Sequence, residues 1–331
     1  MRSSACRVSG VFLWCMVLGA GAATGLTPTA QAQIRIEARG MGGGPGEAGM
    51  VSKRSVEKYA DTLNLSKEQA ETAATIHEGY AAAYGEVRKM RRAAMEEVRR
   101  ASEDTGDHSV FMEKMPKIER EFQEKTGKLE KEFFNDLQSV LDSGQQDRWV
   151  RVERMRRREV GMRGGAISGE GVDLVEVVGN LKLEEPATSV IATPLEEYEA
   201  EVDRHLQSRD RLKDEAPAFE PGKGIDIEAL QKAMAESREA GLKIKDVNER
   251  HARKIEGLLP EDKRGAFRDA VKRRSFPRVY KPSRASKDIE AALKMDDLDA
   301  GQRAALEGLR ESYERDLAGA NDAWAAAQEE S

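Results

Sequence analysis

Leu65-Ser66-Lys67-Glu68-Gln69, Leu141-Asp142-Ser143-Gly144-Gln145 and Leu298-Asp299-Ala300-Gly301-Gln302 are three copies of one pentad. Each spells the start of a helix. Ser or Asp at the N-cap accepts a hydrogen bond from the free N–H groups of the first turn, and Gln three residues later reaches back to the cap's own N–H. The leucine ahead of the cap packs against that turn. One copy would mark a single helix. Three copies, in register with long amphipathic stretches, predict an all-α protein of tandem long antiparallel helical hairpins, partly coiled-coil-like.

Working outward from Ser66, the positions Ile76, Tyr80, Ala83, Val87, Met90, Ala94 and Val98 alternate spacings of four and three, which predicts one helix to about Ser102. Asp104-Thr105-Gly106-Asp107 breaks it. Phe111, Met115, Ile118, Phe122, Leu129, Phe133 and Val140 carry the same stripe back, with regular helix expected from near Pro116. The second pentad then opens a helix with Trp149, Val152 and Met155 on one face, ending in Arg156-Arg157-Arg158.

A second unit repeats this order. Leu181-Lys182-Leu183 matches Leu63-Asn64-Leu65, and the pentad has decayed to Leu183-Glu184-Glu185-Pro186-Ala187. A helix is expected to restart at Thr193-Pro194-Leu195-Glu196 and to turn over Ala216 to Gly224. A return helix runs from Ile227 to Ile255, with Gly241 as a weak point. Leu258 to Asp262 stands where the second pentad stood, and Phe267 parallels Trp149. The organisation read from these marks is a signal peptide (1–32), a Gly-rich flexible leader (33–52), a first hairpin unit (53–160), a Gly-rich linker (161–171), a second hairpin unit (172–282) and a truncated third unit with a C-terminal helix (283–331).

The signal peptide rests on Arg2 and Arg7, the apolar run Val8 to Ala23 and the small-x-small triplet Ala30-Gln31-Ala32, which places cleavage near Ala32/Gln33. The expectation is export, to the periplasm where the cell has two membranes, with no stable membrane insertion after cleavage; an uncleaved anchor is the alternative. Cys6 and Cys15 leave with this segment, which excludes disulfides, thiol catalysis and cysteine zinc sites from the mature chain. It also carries no acid, so its removal moves the formal charge from −6 to −8. That balance gives no bulk attraction to nucleic acid. Charged residues at 34% against aromatics at 5% fit long solvated helices better than a thick core.

The ordered set of a short helix, Leu-x-Leu, a capped long helix, a return helix, and Leu-x-x-x-Gln followed by an aromatic and a basic end resembles the Spy/CpxP family of periplasmic stress proteins, named for Leu-Thr-x-x-Gln motifs. Leu65 to Gln69 and Leu141 to Gln145 would be the motif pair, with Ser66 and Asp142 where the family has Thr. The similarity covers Val56 to Arg158 well and Val172 to Arg278 loosely. The resemblance implies an all-α cradle, usually a dimer of curved hairpins, acting as an ATP-independent chaperone, with relatives that inhibit or sense in envelope-stress and metal-response systems. Two and a half units in one chain depart from that pattern.

Candidate chemistry is sparse. Met90, Met95, Met112 and Met115 cluster near the first hairpin tip beside Arg91. Methionine gives adaptable contact surfaces, so these five are the candidate client-binding residues, against ordinary hairpin packing as the alternative. His77, His108, His205 and His251 include no pair at i+3 or i+4, so no metal site is expected. There is no Gly-x-Ser-x-Gly, phosphate loop or His-Glu-x-x-His, so neither an enzyme nor a cofactor is expected. The basic clusters at Arg88-Lys89, Arg91-Arg92, Arg99-Arg100, Arg151 to Arg158 and Lys272 to Arg274 read as solvated faces, or else as a positive surface that attracts clients. The leading expectation is an exported, non-catalytic helical binding protein, a Spy-like chaperone or envelope-stress adaptor whose partners are unfolded or partner proteins and, as a homodimer, itself. The alternatives are a structural coiled-coil scaffold with one fixed partner and a metal-responsive periplasmic sensor.

Overall fold

The structure is a computed structural model that describes residues 49–107, 109–163, 165, 167–215 and 226–330. The signal peptide, the leader as far as residue 48, His108, and the turn expected over Ala216 to Gly224 lie outside the described residues, as does the side chain of Met112. Among the described residues the protein is all-α, without a strand. The helices are α1 (Lys53–Leu63), α2 (Lys67–Thr105), α3 (Ser109–Ser139), α4 (Ser143–Gln146), α5 (Trp149–Gly161), α6 (Leu174–Asn180), α7 (Ala187–Glu215), α8 (Ile227–Leu258), α9 (Glu261–Ser275), α10 (Arg284–Leu293) and α11 (Ala300–Glu330).

All three pentads cap as their chemistry dictates. Ser66 Oγ accepts from Gln69 N while Ser66 N donates to Gln69 Oε1 at 2.9 Å. Asp142 and Gln145 repeat the exchange at 2.9 and 3.0 Å, and Asp299 and Gln302 at 2.8 and 3.1 Å. The first two boxes also meet each other. Gln69 Nε2 donates to Gln145 Oε1 at 2.8 Å, and Gln145 Nε2 donates to Gln69 Oε1 at 2.9 Å. The remaining amide protons go to backbone carbonyls across the unit, from Gln69 to Val140 and from Gln145 to Asn64. The second pentad opens only the single turn α4, and the chain turns again at Asp147-Arg148 before α5 resumes at Trp149.

Contacts between α2 and α3 run antiparallel. His77 and Tyr80 meet Phe133, Tyr84 meets Phe122, and Arg91 meets Glu119. The core of this unit gathers Tyr59, Leu63, Ala73, Tyr80, Tyr84, Phe122, Phe133, Leu137, Trp149 and Val152. Each large side chain removed from water here is worth about 2 kcal/mol. The buried face of α2 keeps Tyr80, Val87 and Val98 of the expected stripe but takes Ala73, His77 and Tyr84 in place of Ile76, Ala83 and Met90, and Met90 is exposed. A polar residue can occupy the face because its polar atom finds a partner: His77 Nε2 lies 2.9 Å from the Val51 carbonyl. Helix α3 begins at Ser109 and carries Pro116 inside it, not at its start. In the same way α7 begins at Ala187 and runs through Pro194. The Pro194 ring is buried in a stripe with Ile191, Tyr198, Val202 and Leu206, so packing on both sides carries the helix past the missing N–H.

A second core gathers α6 to α9, with Leu174, Val177, Ile191, Tyr198, Val202, Leu206, Ile244, Val247, Ile255 and Phe267 buried. Asn64 and Lys182, the centres of the two Leu-x-Leu links, both take left-handed backbone, at φ 52° and 49°. A tyrosine in each unit clasps the segment where its short helix starts. Tyr80 Oη accepts from Val51 N at 3.3 Å. Tyr198 Oη accepts from Leu174 N at 3.3 Å and sits 3.0 Å from both the Val172 carbonyl and Asn248 Oδ1. Tyr313 Oη lies 2.8 Å from Oγ of Ser283, the N-cap of α10. Tyr80 and Tyr313 each stand eleven residues after a pentad glutamine.

The basic run of α5 is not a solvated face. Arg156 is buried against Glu130 of α3 at 2.8 Å and also donates to the Gly49 carbonyl. Arg157 pairs with Asp203 of α7 at 2.7 Å. Arg158, only 2% exposed, faces Glu199 of α7 at 3.3 Å and Asp173 at 3.4 Å. Successive helical residues point about 100° apart, so three arginines in a row reach three different neighbours. Arg209 of α7 adds a bond to the Gly161 carbonyl and an ion pair with buried Glu170. The glycines of 161–171 act through close approach. A Cβ on Gly171 would lie 2.8 Å from the Met162 carbonyl oxygen, and one on Gly241, the expected weak point of α8, would press on Ile167 and Glu170. Gly241 is therefore a packing position.

Candidate interaction surface

The distal halves of α2 and α3 carry the residues singled out for client contact. The aromatic ladder between the two helices stops at Tyr84–Phe122, where the rings stand 6.1 Å apart. Two turns further along α2, Arg91 lies over the Phe122 ring at 4.6 Å from its centroid and donates to Glu119 at 2.7 and 3.0 Å. This stacked, ion-paired arginine closes the core as an apolar residue would, because its planar cation tolerates an aromatic face while its edge finds a carboxylate. Beyond it only Val98 and Ser102 are buried on α2. Met90 is 52% exposed, while Met95 and Met115 are half-buried. The structure thus separates the predicted set. Arg91 is engaged within the unit, whereas Met90, Met95 and Met115 border a stretch with little core beneath it.

Charges around this stretch are mostly matched on their own helix. Lys89 pairs with Glu86, Arg99 with Glu96 and Glu103, and Arg100 with Glu96. Hydrogen bonds from Arg99 and Arg100 pull the Glu96 carboxyl down to about 2. Such exposed pairs contribute little to stability. They do keep the surface a mosaic of both signs, which lowers its value as a purely positive attractor.

The second unit has its own groove between α7 and α8, lined by Glu197, Glu201, Arg204, Arg250, His251 and Lys254. Its charges answer one another. His251 Nε2 and Arg250 Nη2 reach Glu201 at 2.8 and 2.9 Å, and Lys254 reaches Glu197. The hydrogen bond to His251, then that from Arg250, lowers the Glu201 carboxyl to about 2. Among the described residues no three metal-ligating side chains converge. Burial pushes the Tyr80 phenol up to about 12, so it serves as a neutral hydrogen-bonding group. No described helix is long and apolar enough to cross a membrane.

The chain matches no family model, no curated protein and no solved structure. Functional reading therefore rests on this geometry and on the sequence.

Sequence reasoning missed the tyrosine clasps, the paired glutamine amides and the role of Arg156 to Arg158. A signal existed for the first: a tyrosine eleven residues after Gln69 and again after Gln302. None existed for the arginines, whose carboxylate partners on α3 and α7 lie 26 to 46 residues away in sequence.

Proposed function

We propose that the protein is an exported, non-catalytic binding protein, a Spy-like chaperone that holds unfolded segments along the distal part of α2 and α3 without ATP. The observation that carries this reading is the change of core along that pair. The proximal half is a ladder of buried aromatics. The distal half offers Met90, Met95 and Met115 above little buried apolar volume. Flexible, polarisable thioether side chains on long, lightly packed helices adapt to clients of varied shape. Local opening of such a stretch costs little, because few buried contacts are lost.

Aggregation of unrelated unfolding proteins, followed by light scattering, tests it. The mature protein is expected to suppress aggregation near stoichiometric ratios without ATP, and Met90→Ser with Met115→Ser to weaken suppression at unchanged helicity. Absence of suppression by the unsubstituted protein refutes the chaperone reading and leaves a scaffold that binds one fixed partner.

A further inference from the structure

The seam between α2 and α3 changes chemistry along its length. Its proximal rungs are aromatic: His77 and Tyr80 against Phe133, then Tyr84 against Phe122. Arg91 and Glu119 follow, joined at 2.7 Å. In an antiparallel pair the next rung lies one turn further along α2 and one turn back along α3, which brings Met95 level with Met115. Both are half-buried, so each thioether is partly covered by the hairpin yet open to small solutes. Neither belongs to the buried core of the first unit. The rung after them returns to carbon, with Val98 buried and Phe111 half-buried. One level of sulfur therefore stands between the ion-paired arginine and the hairpin tip.

Sulfur answers to reagents that the aromatic rungs ignore. Outside residues 1–32 the chain has no cysteine, so no thiol competes for a mild two-electron oxidant and methionine is the side chain that reacts. The thioether sulfur attacks one oxygen of hydrogen peroxide. The O–O bond breaks, an S–O bond forms, and the second oxygen leaves as water. The product is a sulfoxide, polar and chiral where the thioether was apolar and flexible. Set between two helices, its oxygen needs a donor, and the cation of the preceding rung, Arg91, is already held by Glu119 and the Phe122 ring. Other methionines differ. Met90 is 52% exposed, so an oxygen added there stays in water. Met162 is 7% exposed, with its sulfur against the Tyr198 hydroxyl.

We propose that Met95 and Met115 form a reversible oxidation site, at which sulfoxide formation by peroxides loosens the distal hairpin while its aromatic half stays packed. The site is a property of the hairpin and stands whether or not clients bind there. Brief treatment of the mature protein with hydrogen peroxide, followed by peptide mass mapping and amide hydrogen exchange, tests it. Met95 and Met115 are expected to gain oxygen well before Met162. Amide exchange over 92–105 of α2 and 109–118 of α3 should then quicken about tenfold, with 70–85 and the second unit unchanged. Methionine sulfoxide reductases should restore the original rates. Met95→Leu combined with Met115→Leu should remove the response, because leucine fills a similar volume without a sulfur, whereas Met90→Leu should keep it. Oxidation of the pair no faster than that of Met162 overturns the proposal. So does unchanged distal exchange in the oxidised protein, an equal response in the double leucine chain, or a loosening that the reductases leave in place.

Discussion

Removing the glutamine amides at the base of the first unit should reveal a coupling that neither capping box carries alone. Gln69 and Gln145 share two hydrogen bonds of 2.8 and 2.9 Å, each also holds its own cap N–H, and each donates once to a distant carbonyl. Gln69→Ala or Gln145→Ala alone deletes one cap bond, orphans a carbonyl and leaves the surviving amide half-satisfied in a largely enclosed site. Orphaned groups cost about 1–3 kcal/mol each when buried, so about 2–3 kcal/mol is expected for each single variant. The double variant has no surviving amide to penalise. The two shared bonds, at roughly 0.5–1.5 kcal/mol each, therefore predict a coupling of about 1–3 kcal/mol. Urea unfolding followed by the fluorescence of buried Trp149, in a Trp324→Phe background, reads the first unit. Gln302→Ala is the control. It sits in the same kind of capping box without a reciprocal amide, and should lose only about 1 kcal/mol or less. A coupling within about 0.3 kcal/mol of zero, the usual scatter of independent sites, would show that the two amides do not act as a pair.

Other perturbations follow from the same geometry. Gly171→Ala drives a Cβ to 2.8 Å from the Met162 carbonyl oxygen and should destabilise the second unit by about 1–3 kcal/mol, whereas Gly85→Ala, with nothing within 4 Å in the middle of α2, should stabilise by about 1 kcal/mol; melting temperatures compare them. Arg158→Ala leaves Glu199 and Asp173 facing each other without their cation, and a loss of about 2–4 kcal/mol is expected by urea titration, more than for Arg151→Ala, whose pair with Glu196 is solvent-exposed. Glu201, lowered to about 2, contributes stability above the ordinary carboxylate range and loses it as pH falls. The gap in urea midpoint between the native protein and Glu201→Gln should accordingly narrow between about pH 5 and pH 3.

Local chemistry was legible in the sequence wherever a residue acts on its near neighbours. Ser66, Asp142 and Asp299 cap because their partners lie three residues on, and those three positions alone fix where α2, α4 and α11 begin. The pairing of Leu63-Asn64-Leu65 with Leu181-Lys182-Leu183 was equally visible, since both centres must turn the chain the same way. What could not be read depends on groups distant in sequence. Hydrophobicity alone put Met90 on the buried face of α2. His77 and Tyr84 are buried instead, because Val51 and the aromatic ladder supply partners no local window contains. Pro116 and Pro194 look like helix starts until the packing around them is known. For the candidate surface, the sequence located the cluster of methionines but not Arg91's engagement with Glu119 and Phe122, which only the return helix provides.

The three consecutive arginines of α5 have a mechanical consequence. A single short helix is bolted to α3 on one side and to α7 on another, with no spacer between the bolts. Two tandem units joined by a slack tether would swing freely and present their long helices at any separation. Bolted through α5, they turn together, so a pull on the far end of α2 is delivered as torque to α7. The two pairs of long helices are thereby held at a set span, and widening that span means unseating buried guanidinium groups from their carboxylates.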